Sequence, residues 1–425
     1  MTRATHLPAV IVGAGQAGLA LSDELTRHGL DHVELDRGRI GERWRSERWD
    51  SLRLLTPNWM TRLPGYSYSG TDPNGYMTMP EVAQFFTDYA RSFDAPVVDE
   101  TAVHSVRRAG DGVARYRLET SLGPITCQHL IAATGACATP NIPAVANSAA
   151  ARLFQISPKH YRRPSQLPEG GVLVVGASAS GVQLAREIHL SGRPVTMAAG
   201  SHVRLPRRYR GLDIHDWFEM MGTLDRRAVD EADLDAARRG PSLQLVGAPD
   251  GRSLDLAELA RLGVRLAGRI EDIDGERATF DGRLADTAEA ADQAYDRLLD
   301  RIDSWASANG LEHEIGPDDR QPHLRITDEP ERLDLGREGI STIVWATGYR
   351  PDYSWLDLPV VGADGAIPHD GGVVTDSPGL YLMGLPVMRT RKSTFIDGVG
   401  QDATELAAHL AQEHTGRCQR GTVAA

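Results

Sequence analysis

Cysteine is scarce in this chain. Its three cysteines, Cys127, Cys137 and Cys418, form no C-x-x-C pair and no zinc-ligand spacing. A redox-active dithiol and a bound metal are therefore not expected. An odd number of thiols suits a reducing compartment. Lysine is scarcer still: Lys159 and Lys392 are the two lysines among 46 basic residues. With 58 acidic residues the formal net charge is −12, and there is no basic block. Nucleic acid and anionic membrane are poor partners for such a chain. No apolar run approaches the roughly 18 residues that cross a bilayer. No charged-then-apolar leader precedes the first strand at Ala9, so a cytoplasmic location is expected. Low-complexity tracts are also missing. What remains is 425 residues, 41% hydrophobic and 24% charged, enough for two or three domains with their own cores.

Glycine is abundant, at 43 residues, and its placement is informative. The β-branched run 9–12 leads into GAGQAG at 13–18, then the helical stretch LALSDELTRHGL, then a strand ending at Asp36. Strand, glycine turn, helix and strand make a βαβ unit. In this pattern Gly13 permits the tight turn, Gly15 lets a pyrophosphate approach the backbone, and Gly18 lets helix and strand pack closely. Gln16 and Ala17 open the helix whose free N–H groups face the anion. Asp36, with Arg37 beside it, stands where a carboxylate accepts the ribose hydroxyls.

The pattern returns at 170–200, with GASASG at 176–181. Gly176 and Gly181 keep the outer positions, Ser178 replaces the middle glycine, and Ser180 follows it. The next strand ends at Ala198–Gly200 without an acid, and Ser201, His202, Arg204, Arg207 and Arg208 follow. A carboxylate repels a 2′-phosphate, whereas Ser201, Arg204 and Arg208 suit one, which favours NADPH over NADH. Two dinucleotide sites without a dithiol imply a flavin and a nicotinamide exchanging electrons.

HLIAATGACATP (129–140) and TIVWATGYRPD (342–352) each run from an apolar strand into Ala-Thr-Gly. They bracket the second unit, so one dinucleotide domain interrupts the other. Helices are predicted over 76–93, 211–240 and 284–309, the last strongly amphipathic, and the tail beyond Thr415 is expected to fray.

GAGQAG at 13–18, the G-x-x-W of Gly41–Trp44, RWDSLRLLTP at 48–57, GASASG at 176–181 and ATGY at 346–349 occur together and in this order. The chain in this respect resembles the flavin-containing monooxygenases, over nearly its whole length. The resemblance implies an α/β fold of two Rossmann-like dinucleotide-binding domains of the glutathione-reductase type. Residues 1–165 and 341–425 would form the FAD domain, and 166–340, with a helical insertion, the NADPH domain. It also implies that Arg43 reaches FAD, that Trp44 lies beside the flavin rings, and that Val103 covers the adenine. Thr134, Gly135, Thr347 and Gly348 would mark the domain crossings. Gly400 and Gln401 would open a final helix aimed at the flavin. The implied reaction passes hydride from NADPH to FAD and activates O2 as a flavin C4a-hydroperoxide. The oxygen then goes to a small organic substrate, by N- or S-oxygenation or Baeyer–Villiger insertion.

Two departures stand out. Phe154 and His160 keep the family's Phe-to-His spacing, but Ile156 replaces its glycine. Leu55 occupies the position of an asparagine that helps hold oxygenated flavin, leaving Thr56 or Asn58 as substitutes. Lys392, close before the last helix, is a candidate to stabilise anionic flavin. The Trp217–Met221 knot reads as core or interface more readily than as a lid. The stripe on 284–309 serves a homodimer or its own domain equally well. Two other readings stay open: an FAD-dependent NAD(P)H reductase passing electrons to another acceptor, and a non-catalytic nucleotide-binding module.

Overall fold

The computed structural model describes residues 5–110 and 114–422, with side chains through Thr415. Apolar, β-branched runs form strands buried on both faces, as parallel sheets require. The first sheet contains β1 (Thr5–Val12), β2 (His32–Leu35), β3 (Val97–Val98), β4 (Val103–Arg108), β5 (Tyr116–Thr120) and β6 (Gly123–Ala132). Their order is β3-β2-β1-β6-β5-β4. The first four are parallel, and β6-β5-β4 is an antiparallel meander. The second sheet contains β7 (Phe154–Ile156), β8 (Gly171–Val175), β9 (Val195–Ala198), β10 (Arg265–Ala267) and β11 (Ile340–Trp345). It is wholly parallel, in the order β7-β11-β8-β9-β10. The chain then returns to the first sheet, where β12 (Leu380–Leu382) pairs with β6.

Parallel neighbours need crossovers. Helix α1 (Gln16–Arg27) joins β1 to β2. Two helices precede β3: α2 (Glu42–Ser46) and α3 (Met79–Ser92). Helix α3 begins where the sequence predicts, with the Thr78 N–H donating to Glu81 at 2.7 Å and Pro80 in the first turn. Helix α4 (Ala179–Leu190) joins β8 to β9. Beyond β9 lie α5 (Ile214–Met220), α6 (Leu234–Arg239), α7 (Leu256–Leu262), α8 (Leu284–Ala308) and finally α9 (Val399–Thr422). Leu19, Phe86, Val399 and Leu406 bring α1, α3 and α9 into one core against the first sheet.

Four features differ from the sequence reading. Residues 211–240 hold two short helices rather than a long one, because Gly211 and Gly222 adopt positive φ and Asp213 and Asp233 cap new starts. The tail beyond Thr415 stays helical to Thr422. Val399, Ala403, Leu406 and Leu410 bury the first turns of α9, and extension of an anchored helix is cheap. The second sheet begins at Phe154, before residue 166, and keeps Ile340–Trp345, so the first unit resumes only after Trp345. The apolar stripe of α8 is covered by its own chain: Tyr295, Leu298 and Ile302 pack with Trp217 and Phe218 in one cluster. That cluster also contains Met60 and takes Leu55, Trp59 and Phe395 at its edge, joining the second unit to the first.

Candidate functional site

The glycines of the first turn are dictated by close approaches. Gly13 has φ +114°, and a Cβ there would sit 2.6 Å from the Ala133 carbonyl oxygen. A Cβ at Gly18 would overlap the Gly13 carbonyl and the Glu34 carboxyl. Gly15 is different: no protein atom lies within 4 Å of its Cβ position. It caps α1, whose first turn carries no acid, and Gly15, Gln16 and Ala17 at this helix start border open space.

That space is a cavity of about 600 Å³. Gly13, Gly15, Gln16, Ala17, Asp36, Arg37, Arg43, Trp44, Val103, Thr134 and Gly135 all line it. Gly18 lies beneath. The Asp36 carboxylate accepts from the Ala14 N–H at 2.7 Å and the Gly38 N–H at 2.8 Å. Burial raises its pKa, against those two hydrogen bonds. Glu34, fully buried below α1, is pushed well above the usual carboxylate range by burial and by Asp36. Arg43 is lowered by burial but stays charged, as arginine does. Trp44 packs on Phe86 at 6.2 Å, with the Arg48 guanidinium 5.2 Å from its ring centre.

Sequence reasoning missed several groups on this wall. Lys159 lines it, donating to the Ala138 carbonyl at 2.7 Å and pairing with Glu47 at 3.4 Å. Its rarity as a lysine was the available signal. Cys137 is a free and exposed thiol that also lines the cavity. Thr394 and Phe395 line it too, and the Gln16 amide donates to the Thr394 carbonyl at 2.8 Å.

The second turn repeats the first. Gly176 has φ +106° and its Cβ position abuts the Ala346 carbonyl, as Gly13 abuts Ala133. A Cβ at Gly181 would overlap the Gly176 carbonyl. The Gly176 N–H donates to the Ala198 carbonyl at 2.9 Å, matching Gly13 to Leu35 at 2.8 Å. Ser178 caps α4 and Ser180 lies in its first turn, which also lacks acids. The two Ala-Thr-Gly segments meet through a ribbon in which Tyr349–Arg350 pairs with Thr139–Pro140. Thr347 donates to the Asn141 carbonyl at 2.6 Å, and Gly348 turns at φ +89°.

Several predicted residues do not line this cavity. Arg204 is buried, pairing with Asp255 at 2.8 Å and Asp292 at 2.6 Å over the Tyr295 ring, so its charge is not free for a phosphate. Arg208 is exposed in a two-residue strand, its guanidinium against Gly251, while Ser201 is exposed just past β9. Lys392 is held by Asp225 at 2.6 Å and Asp397 at 3.3 Å. Burial opposes its charge, but these carboxylates raise its pKa, and it bridges two segments rather than lining the cavity. Asn58 is buried, donating from its amide to the Asp72 carbonyl at 2.9 Å. Neither Asn58 nor half-buried Thr56 lines the cavity. Gly400 lies in a separate cleft, and Gln401 is exposed beside Glu405. Of the segment before and at the start of α9, Thr394 and Phe395 line the cavity, whereas Lys392, Gly400 and Gln401 do not. Among the described residues no cluster of His, Cys, Asp and Glu forms a metal-binding group.

Residues 10–210 match the family model described as pyridine nucleotide-disulphide oxidoreductase. The chain is 31% identical over 401 residues to an uncharacterized CzcO-like oxidoreductase of Geobacillus kaustophilus, covering 93% of this chain and 96% of that protein. It is 31% identical over 213 residues to indole-3-pyruvate monooxygenase YUCCA6 of Arabidopsis thaliana, covering 48% and 50%. A flavin-containing monooxygenase from Stenotrophomonas maltophilia superposes with TM-score 0.66 at 19% identity, over 97% of this chain and 99% of that one.

Proposed function

The chain belongs to the CzcO-like oxidoreductases and is a flavin-dependent oxidoreductase, and from that premise we propose that it is an NADPH-dependent FAD monooxygenase of the flavin-containing monooxygenase type, acting on a small organic substrate. The observation that carries this reading is one cradle built twice. In each copy a positive-φ glycine abuts an Ala-Thr-Gly strand end, and the helix N-terminus beyond it faces open space or a serine cap. That donor set fits two dinucleotide pyrophosphates.

Gly13 to Gly18 would hold the ADP half of FAD, with Asp36 accepting the ribose hydroxyls and Arg43 and Lys159 countering phosphate charge. Thr101, Ala102 and Val103 would cover the adenine, and Trp44 would flank the ring system. Gly176 to Gly181 would hold the nicotinamide nucleotide. FAD supplies the hydride-accepting and oxygen-activating chemistry, which no side chain here provides. The protein's part is to bind, orient and keep water out. The apolar seam of Leu55, Trp59, Phe218 and Phe395 supports the last of these.

One observation favours the reductase reading. Leu55 offers no amide side chain, and its backbone carbonyl is already taken by the Arg207 guanidinium at 2.6 Å. A sealed assay separates the two. The FAD-loaded protein is supplied with NADPH, ¹⁸O2 and a panel of amines, sulfides and ketones. The monooxygenase reading predicts one ¹⁸O atom in a product per NADPH oxidised. One H2O2 per NADPH with every compound would replace it with the reductase reading.

A further inference from the structure

We propose that Arg269 recognises the 2′-phosphate of NADPH, an inference that rests on assigning the second glycine turn to that nucleotide. The arginines that follow β9 in sequence are largely spent. Arg204 is paired with Asp255 and Asp292, and fully buried Arg207 with Asp213. Arg269 comes from the neighbouring strand. β9 and β10 are parallel, with Ala198 opposite Ala267, so Gly200–Ser201 and Arg269 emerge side by side at their carboxyl ends. The Gly176 N–H meets the Ala198 carbonyl at the same edge. Ligands of open parallel sheets bind at such an edge.

The guanidinium lies across the turn that follows β9. A Cβ on Gly200 would stand 3.0 Å from Arg269 Nε and 3.2 Å from Nη2. Nη2 is 3.5 Å from Ser201 Oγ, a loose contact that leaves both groups free to donate. The side chain is exposed, and among the described residues its charge enters no ion pair. Nearby carboxylates are otherwise engaged. Asp281 accepts the backbone N–H groups of Arg269 and Arg283, and Glu329 accepts that of Leu284. The Asp281 bond fixes the backbone from which Arg269 projects. No acid stands at 198–201 to repel an anion. Arg269 and Ser201 thus frame an anion site at the edge where a ribose 2′-oxygen would lie, and a planar guanidinium is suited to phosphate.

Calorimetric titration of the FAD-loaded protein tests this without turnover. Four probes are compared: NADP⁺, NAD⁺, 2′,5′-ADP and 5′-AMP. Arg269→Ala is expected to weaken NADP⁺ and 2′,5′-ADP by about tenfold or more, with NAD⁺ and 5′-AMP changed less than twofold. Ser201→Ala should show a smaller loss of the same selectivity, and Arg204→Gln none beyond its effect on folding. Unchanged NADP⁺ affinity in Arg269→Ala, or equal losses for NADP⁺ and NAD⁺, overturns the assignment. A wild-type protein that binds none of the four overturns it together with the dinucleotide reading. Selective loss of NADP⁺ binding in a protein that oxygenates nothing supports Arg269 while refuting the oxygenase reading.

Discussion

At the residue scale, Gly15 and Gly18 separate folding from binding. The backbone at Gly15 has φ −98°, which any residue tolerates, and its Cβ position is open. Gly15→Ala is therefore expected to fold with a melting temperature at or slightly above wild type. Its methyl would occupy the space that a pyrophosphate approaches, and FAD affinity should fall at least tenfold. Gly18→Ala forces a methyl into the Gly13 carbonyl and should fail to fold or lose several kcal/mol. Thermal denaturation of the apoprotein and FAD titration by fluorescence distinguish the two. Cys137 offers a second residue-level check. It is exposed on the cavity wall, whereas burial raises the Cys127 thiol far above its usual range. Iodoacetamide should label Cys137 in the apoprotein, leave Cys127 unmodified, and be blocked at Cys137 by saturating FAD. Equal labelling of Cys137 with and without FAD would move the flavin elsewhere.

At the element scale, two burials dictate stability. Asp402 is fully buried in the first turn of α9, and burial pushes its carboxyl up to about 6. The folded state thus holds this proton more tightly than the unfolded chain, whose value is near 3.8. Between about pH 4 and 6 the unfolded chain releases the proton first, so this group's contribution to stability falls as pH rises. Asp402→Asn is expected to gain up to roughly 3 kcal/mol at pH 7 and to flatten that part of the profile, measured by urea unfolding from pH 4 to 8. Arg204 is the opposite case. Removing it leaves Asp255 and Asp292 buried and unpaired, so Arg204→Ala should cost about 3–5 kcal/mol and destabilise α8 without altering nucleotide preference.

The same elements show what a sequence makes legible. Both βαβ units, their glycine turns and the amphipathic runs of α3 and α8 follow from local periodicity and steric need, and all appear at their predicted places. Arg204 was not legible as a core residue, because Asp255 and Asp292 lie far along the chain. Arg269 was invisible for a related reason: only the parallel pairing of β9 with β10 brings it to Ser201. The helical reading of 211–240 failed where two positive-φ glycines interrupt otherwise good helix formers.

At the scale of the whole molecule, the second unit is seated on the first through charged and apolar contacts. Arg391 pairs with Glu231, and Lys392 with Asp225. Backbone bonds join Ala228 to Arg389 and Lys392 to Leu224, just before the cavity residues Thr394 and Phe395. This seating joins the two cradles in one molecule, as the proposed transfer from a nicotinamide to a flavin requires. The most direct measurement is anaerobic reduction of the FAD-loaded protein with NADPH, followed by rapid mixing with O2 while the flavin spectrum is recorded. The account predicts a third spectral species, distinct from reduced and oxidised flavin, that persists for seconds and lasts longer with NADP⁺ bound. A single-step return to oxidised flavin, with one H2O2 released per flavin, would contradict it.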